Sequence, residues 1–343
     1  MIEIETLHKV YNQSSVDMKV IKDDSVDLVV TSPPYPMVEM WDDCFKFQSI
    51  FVEQAFEKKM YYQAWIEMHN ILEKVWKEIV RVVKPGGFVC INIGDATRTF
   101  DGNFQLFSNH SRIIQYFISN GFVCLPDILW RKRTNAPNKF MGSGMYPAGA
   151  YVTFEHENIL IFRKGGKRLF SEEEKKIRQE SAYFYNERNM WFSDVWDILG
   201  VSQKGIKGSR ERSGSYPLEV PYRLINMYSI KGDIVLDPFG GLGTTMLAAV
   251  IADRNSLNFE IDKSLCEYMK ERVLSEKDIN SRIQERLKTQ EVHILSEKEK
   301  GKNKFYFNDN LKREVKTKQE QKIKFDFVES ISCKDDEIVV KYN

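Results

Sequence analysis

The tetrapeptide Ser32-Pro33-Pro34-Tyr35 directly follows the apolar run Val26-Asp-Leu-Val-Val-Thr31. Neither proline can donate to a sheet ladder, and together they hold the backbone extended and stiff. The Ser32 hydroxyl, the Pro33 carbonyl and the Tyr35 ring are therefore presented as a fixed set, two hydrogen-bond acceptors beside an aromatic face. A second constellation lies far downstream, in Gly232-Asp-Ile-Val-Leu-Asp-Pro-Phe-Gly-Gly-Leu-Gly-Thr-Thr245. Gly240, Gly241 and Gly243 permit a tight turn and close approach of backbone to a ligand, while Thr244 and Thr245 can cap a following helix. Glu260 follows, roughly 20 residues beyond the glycines, where a carboxylate pairs with a ribose diol.

Two short strands must position these groups. Val26 to Val30 and Ile234 to Leu236 are apolar and β-branched, and each runs straight into its loop. A helix from Met246 to Ala252 and a strand over 255–262 complete the second unit. Open α/β sheets bind ligands beyond the carboxyl ends of their strands, at a topological switch point. The two loops meet at one pocket if the Val30 and Leu236 strands are neighbours, so the expected fold is a doubly wound, mostly parallel sheet.

Together the two stretches resemble the beta class of amino-methyltransferases, which move a methyl group from S-adenosyl-L-methionine to an exocyclic amine of a DNA base. Ser32-Pro-Pro-Tyr35 is similar to their catalytic motif and Asp237-Pro-Phe-Gly-Gly-Leu-Gly-Thr244 to their cofactor motif, in the permuted order of that class. The resemblance spans about the first 270 residues. It implies a seven-stranded, circularly permuted Rossmann-like sheet with an inserted DNA-recognition region. It further implies that Ser32, Pro33, Pro34 and Tyr35 are catalytic, and that Phe239, Gly240, Gly241, Gly243 and Thr244 line the cofactor. Glu260 would accept from the ribose hydroxyls, and Asp237 would lie towards the methionine end. The implied partners are double-stranded DNA with a flipped target base and, in a restriction-modification system, a cognate restriction endonuclease. In that family the first motif position is mostly Ser in enzymes methylating cytosine N4, and mostly Asp or Asn in those methylating adenine N6. Ser32 thus points to cytosine.

These residues suit that chemistry. An exocyclic amine is a poor nucleophile because its lone pair is delocalised into the ring. Accepting its N–H bonds at Ser32 and Pro33 localises the lone pair for in-line attack, so catalysis is mostly positioning and electrostatics. Tyr35 would stack on the base once it has left the duplex.

Composition sets bounds on the rest. The chain has 343 residues, 42% hydrophobic and 29% charged, the profile of a soluble globular protein, and is long enough for one large α/β domain with insertions or for two domains. Its net charge of +1 gives no global attraction to nucleic acid, so DNA contacts must come from local basic clusters. Cys44, Cys90, Cys124, Cys266 and Cys333 are dispersed without metal-ligand spacing and read as reduced thiols of a cytoplasmic protein. No metal is called for, and no run of about 18 apolar residues suggests a membrane span.

Four segments are expected. Residues 1–163 form the catalytic half, 164–214 a target-recognition region, 215–275 the cofactor half and 276–343 a charged extension. Within the first, Ile4 to Val10 is a strand, Asp17 to Asp24 a short helix and loop, and Phe45, Phe47, Phe51 and Phe56 belong to a helical hairpin over the sheet. Met37, Trp41 and the loop near Phe140 are candidate walls of a base pocket. Ala64 to Val83 is an amphipathic helix halted by Lys84-Pro-Gly-Gly87, and Phe88 to Asp95 is a buried strand. Asp95 reads mainly as a solvated turn residue, with a place in the pocket as the alternative, and His156 as structural. Ser111 to Asn120 is a helix, and Phe122 to Lys132 and Tyr151 to Arg163 an antiparallel strand pair. The basic loop Arg131 to Lys139 and the Lys/Arg-rich, aromatic 164–214 stretch are the candidate DNA surface. Leu218 to Tyr228 is a helix whose beginning contacts the cofactor. A helix runs from Ser264 to about Lys288, residues 296–324 are weakly ordered, and Phe325 to Tyr342 forms a hairpin.

Three rivals are weaker. A nicotinamide dehydrogenase would need Gly-x-Gly-x-x-Gly and leaves Ser32 to Tyr35 unexplained. Protein-directed methyltransferases usually carry Asn-Pro-Pro-Tyr after the cofactor motif. A binding module without activity would not keep both motifs intact.

Overall fold

The computed structural model describes residues 4–132, 142–200, 216–275, 278–334 and 337–343. In chain order the strands are β1 (Ile4–Asn12), β2 (Val26–Thr31), β3 (Val83–Ile93), β4 (Ala96–Phe100), β5 (Asn103–Phe107), β6 (Phe122–Arg131) and β7 (His156–Lys164). They continue with β8 (Val195–Trp196), β9 (Ile234–Asp237), β10 (Asn255–Glu260), β11 (Tyr306–Asn308), β12 (Arg313–Val315), β13 (Val328–Lys334) and β14 (Glu337–Tyr342). Strands β4 and β5, and β11 and β12, form two small hairpins, and the others make one sheet in the order β13-β14-β1-β10-β9-β2-β3-β7-β6-β8. From β1 to β3 every pairing is parallel, whereas β7 runs antiparallel between β3 and β6. This seven-strand unit is the expected doubly wound sheet.

Its central strands read as continuous hydrophobic runs because both faces are covered. Val29, Val89, Ile91, Leu160 and Leu236 turn to one side, where Tyr61–Val82 and Asn109–Ser119 pack. Leu28, Val30, Cys90, Ile159 and Val235 turn to the other, against Glu219–Tyr228 and Thr244–Ile251. The long helix buries Trp65, Met68, Ile71, Leu72, Val75, Trp76, Ile79 and Val82, the residues its 3.6-residue period selects. It ends at Val82, where β3 takes over and Gly86 adopts φ 82°.

Strand β9 pairs with β2, Val29 opposite Leu236, so the two motif-bearing strands are neighbours. That single adjacency brings the Ser32-to-Tyr35 turn and the glycine loop to the same end of the sheet.

Several local expectations are corrected. Residues 17–24 form turns without a helix, pinned by Arg81, whose guanidinium donates to the Met18 and Ile21 carbonyls. The hairpin helices Asp42–Gln48 and Ile50–Glu57 bury Phe45 but leave Phe47 and Phe51 exposed, because only one face of each short helix meets the core. The expected helix after Ser264 is two, Lys263–Ser275 and Ile279–Glu299. Residues 296–324 are folded: Val315 and Ile323 pack on Phe184, and the buried Asn308 amide donates to the Glu320 and Ile323 carbonyls. Their polar composition concealed a few buried anchors. Strands β13 and β14 then cover the β1 edge, so the sheet exceeds seven strands. Among the described residues no helix is long and apolar enough to cross a membrane.

Candidate active site

Strand β2 is buried along its whole length and delivers the Ser32-to-Tyr35 turn at its carboxyl end. Thr31 Oγ1 donates to Asp237 Oδ1 at 2.6 Å, which ties the residue before Ser32 to the end of β9. Ser32 Oγ lies 3.0 Å from the Tyr35 hydroxyl, and that hydroxyl donates to Glu157 Oε2 at 2.9 Å. The Asn92 amide donates to both the Tyr35 hydroxyl and Glu157 Oε2, each at 2.7 Å. Lys132 Nζ closes the cluster by pairing with the other Glu157 oxygen. Burial and the facing Glu157 carboxylate push the Tyr35 phenol well above its ordinary pKa, so it remains a donor. Gly94 supports the ring edge, since a Cβ there would sit 2.9 Å from Tyr35 Cε2.

Pro33 and Tyr35 open on a cleft of about 280 Å³ whose walls include Trp41, Asp95, Lys132, Phe154 and Glu157. Of the expected walls, Trp41 is there, whereas Met37 takes φ 63° and turns into the core, its N–H donating to Met68 Sδ. Phe140 and most of the basic loop lie outside the described residues. Asp95 is a buried cleft residue, contrary to its reading as a solvated turn: it accepts from the His110 backbone N–H at 3.0 Å and contacts His110 Nδ1 at 2.7 Å. That contact raises the His110 pKa. His156 also lines the cleft, beside Phe154.

The glycine loop is built from the neighbouring strands. Asp237 is buried and accepts from Thr31, from Thr245 Oγ1 at 2.6 Å and from the Phe239 N–H at 3.0 Å. Burial pushes its pKa up, and these three bonds oppose that shift. Its acceptor sites are engaged by protein donors, so Asp237 binds the two motifs together. Gly243, at φ 72°, caps Thr244–Ile251; a Cβ on it would lie 2.3 Å from Met269 Cγ, and one on Gly240 2.7 Å from Met269 Cε. Gly243 is thus required by helix packing as well as by turn geometry, whereas a side chain on Gly240 would have to displace the Met269 methyl. Gly241 faces open space, with only Phe239 O within 4 Å of an added Cβ.

Glu260 ends β10 and accepts from the Gly241 N–H through Oε2 and from the Asp262 N–H through Oε1, both at 2.9 Å. A carboxylate offers about four acceptor sites, so one on each oxygen is left for the hydroxyls of a diol. This loop and carboxylate fit an adenosyl cofactor. Asn12, at the end of β1, spends its amide on the Glu260 and Ile261 carbonyls. Tyr216, at the start of the expected cofactor-contacting segment, places its hydroxyl 2.5 Å from Thr245 Oγ1.

The described part of the 164–214 region divides between the two ends of the sheet. Lys164 binds Asp24 and the Val80 and Val83 carbonyls, and Arg168 pairs with Asp233, Asp27 and Glu174, all at the end opposite Ser32. Glu187 forms a buried pair with Arg286. Strand β8 instead runs parallel to β6, Trp196 beside Trp130, and so points towards the catalytic end. Lys204, Lys207, Arg210 and Arg212 lie outside the described residues. Sequence reading missed Asn92, Lys132 and Glu157. Their signal was a polar residue inside, or at the ligand end of, an otherwise apolar strand, as in Cys90-Ile-Asn-Ile93 and Glu157-Asn-Ile-Leu-Ile-Phe162.

Residues 26–271 match the family model described as DNA methylase, and the chain belongs to this family of N6/N4 DNA methyltransferases. It is an enzyme that acts on DNA with S-adenosyl-L-methionine as methyl donor. Among its relatives, the type II methyltransferase M.MthZI of Methanothermobacter thermautotrophicus is 50% identical over 325 residues, 94% of this chain and 90% of that protein. The type II methyltransferase M.MjaI of Methanocaldococcus jannaschii is 49% identical over 283 residues, 79% of this chain and 93% of that protein. A putative DNA modification methylase of Thermus thermophilus, solved with S-adenosyl-L-methionine, superposes with a TM-score of 0.59 at 30% identity, covering 78% of this chain and 93% of that one. The cytosine-N4-specific PvuII DNA methyltransferase shares the fold, with a TM-score of 0.58 at 18% identity over 81% of this chain and 93% of its own.

Proposed function

We propose that this protein is a type II DNA methyltransferase that methylates N4 of a cytosine within one specific sequence, as the modification enzyme of a restriction-modification system with a cognate endonuclease. The observation that carries the reading is the Thr31–Asp237–Thr245 connection, which sets Ser32 and the glycine loop side by side. S-adenosyl-L-methionine, when bound, supplies an electrophilic methyl group. Phe239, Gly240, Gly241, Gly243 and Thr244 line it, Glu260 accepts from its ribose hydroxyls, and Asp237 holds the loop at its methionine end.

The target base leaves the duplex because its amine is unreachable inside the helix. It enters the cleft beside Tyr35 and Trp41. There the Ser32 hydroxyl and the Pro33 carbonyl accept the two amine hydrogens, and Pro34 keeps the turn rigid. The choice of cytosine rests on Ser32, the type that the resembled family mostly pairs with N4. Sequence reading on DNA is assigned to the basic loop Arg131 to Lys139 and to the part of 164–214 beyond Trp196. The segment 164–180 is left out of that assignment because its Lys164 and Arg168 are engaged at the other end of the sheet.

The test is nucleoside mass spectrometry of DNA methylated by the purified protein with labelled cofactor, joined to sequencing of the modified sites. Label in N4-methylcytosine at one sequence is expected. Label solely in N6-methyladenine would overturn the base assignment in favour of an adenine enzyme of the same fold, and no label in DNA would overturn the reading itself.

A further inference from the structure

We infer that Glu157 is a positioning residue for methyl transfer, acting on the target amine through Tyr35 and Ser32 by supplying the negative charge a serine lacks and taking up the proton the amine releases. This rests on the reading of Ser32 as the acceptor of the amine. A serine hydroxyl is a weak acceptor compared with a carboxylate, so a lone Ser32 would be poorly matched to an amine whose lone pair must be localised.

Donor accounting fixes the direction of the chain. The Tyr35 hydroxyl has one proton, and it goes to Glu157 Oε2 at 2.9 Å. The tyrosine oxygen also receives the Asn92 amide at 2.7 Å. Ser32, 3.0 Å away, can therefore engage that oxygen only as a donor. With its proton committed to Tyr35, Ser32 keeps its lone pairs available, the state an acceptor of amine hydrogens needs. The Asn92 amide is held in this sense because reversal would set its oxygen against the Glu157 carboxylate. Burial keeps Tyr35 a phenol, so the chain is not broken by ionisation at neutral pH.

The same chain carries the proton. As the nitrogen lone pair forms the new N–C bond to the methyl, the bond from that methyl to the donor sulfur would break with its electrons going to sulfur; the electrons of one N–H bond return to nitrogen and its proton passes to Ser32 Oγ. The serine proton moves to Tyr35, and the tyrosine proton to Glu157 Oε2, which becomes a neutral acid. No charge is left on the serine or the tyrosine. The transfer is downhill because the exocyclic nitrogen, once methylated, is a cation that has lost its delocalisation into the ring and is a far stronger acid than a carboxylic acid. Lys132 on the other Glu157 oxygen compensates the partly buried carboxylate before the proton arrives. A network that merely braced the turn would need neither this direction nor a charged terminus.

The experiment compares Glu157→Gln, Tyr35→Phe and their double variant in the full-length protein, with Ser32→Ala as the reference. Glu157→Gln keeps shape and removes charge, while Tyr35→Phe keeps the ring and cuts the chain. Each is expected to lower kcat about 10²-fold, the scale of one proton-transfer or electrostatic contribution. Cofactor affinity by calorimetry and DNA binding at equilibrium should stay within about threefold of wild type, and the double variant should be no slower than Tyr35→Phe alone. Multiplicative losses, a loss carried by binding, or Glu157→Gln turnover within about threefold of wild type would overturn the inference. Should Glu157→Gln not fold, Tyr35→Phe decides in the same way. An inactive Ser32→Ala beside an active Glu157→Gln removes the relay alone, whereas an active Ser32→Ala removes the catalytic reading beneath it.

Discussion

Asp237→Asn tests whether the two motifs act as one unit. The wild-type carboxylate accepts three bonds: Thr31 and Thr245 hydroxyls at 2.6 Å each and the Phe239 N–H at 3.0 Å. An asparagine can keep its oxygen on Thr31 and Phe239, but then its NH₂ faces Thr245 Oγ1, which must turn its own proton towards the Tyr216 hydroxyl at 2.5 Å or the Val30 carbonyl at 3.5 Å. Hydrogen bonds to charged groups contribute about 1.5–3 kcal/mol and neutral ones about 1, so weakening two and reversing one should cost roughly 2–4 kcal/mol. Relief of the buried charge, visible in the raised Asp237 pKa, offsets part of this and favours the lower end. Urea unfolding measures the stability loss, and calorimetry with single-turnover rates measures function. Because Thr31 precedes Ser32 and Thr245 lies in the first turn of Thr244–Ile251, cofactor affinity and turnover should fall together. Thr31→Val should cost less, roughly 1–2 kcal/mol, and combine with Asp237→Asn sub-additively. A stability change under about 0.5 kcal/mol, or weakened cofactor binding with an unaltered rate, would refute the coupling.

Two further outcomes are expected. Glu260→Ala removes the acceptor of the Gly241 and Asp262 N–H groups as well as the proposed ribose contacts, and should weaken cofactor binding by about 1–3 kcal/mol; unchanged affinity by calorimetry would sink the assignment. His8 and His69 are buried as neutral rings, and desolvation lowers their pKa values to about 3 and about 4. Their unfolded forms take up protons below about 6.5, so this stability is fully present above that pH and is lost as pH falls, by about 2 kcal/mol each at pH 5. Urea unfolding between pH 5 and 7 measures it, and His8→Gln should remove about half of the slope due to the pair; an unchanged slope would refute the assignment.

Local sequence determined much of this protein. Val26 to Thr31 and Ile234 to Asp237 are apolar runs stopped by Pro33-Pro34 and Pro238-Phe239-Gly240, so strand and loop were legible from side-chain type alone. The position of Glu260 at the end of β10 was legible because its distance from the glycines is set by one helix and one strand. The long helix was visible in its period. In each case the instruction lies within a few turns of chain.

Tertiary structure decided the rest, because the deciding contacts join residues far apart in the chain. Glu157 reaches Tyr35 across 122 positions and Thr31 reaches Asp237 across 206, through strands that become neighbours only in the folded sheet. Asp95 looked like a turn aspartate until His110 and the cleft surrounded it. Residues 296–324 looked too polar to order, yet the Phe184 contacts of Val315 and Ile323 supply the apolar burial that composition did not show. Composition averages over positions, and a fold needs only a few buried ones. The charges of Lys164 and Arg168 resembled a DNA surface for the same reason: sequence records a charge, whereas only the structure shows the carboxylates and carbonyls that already engage it.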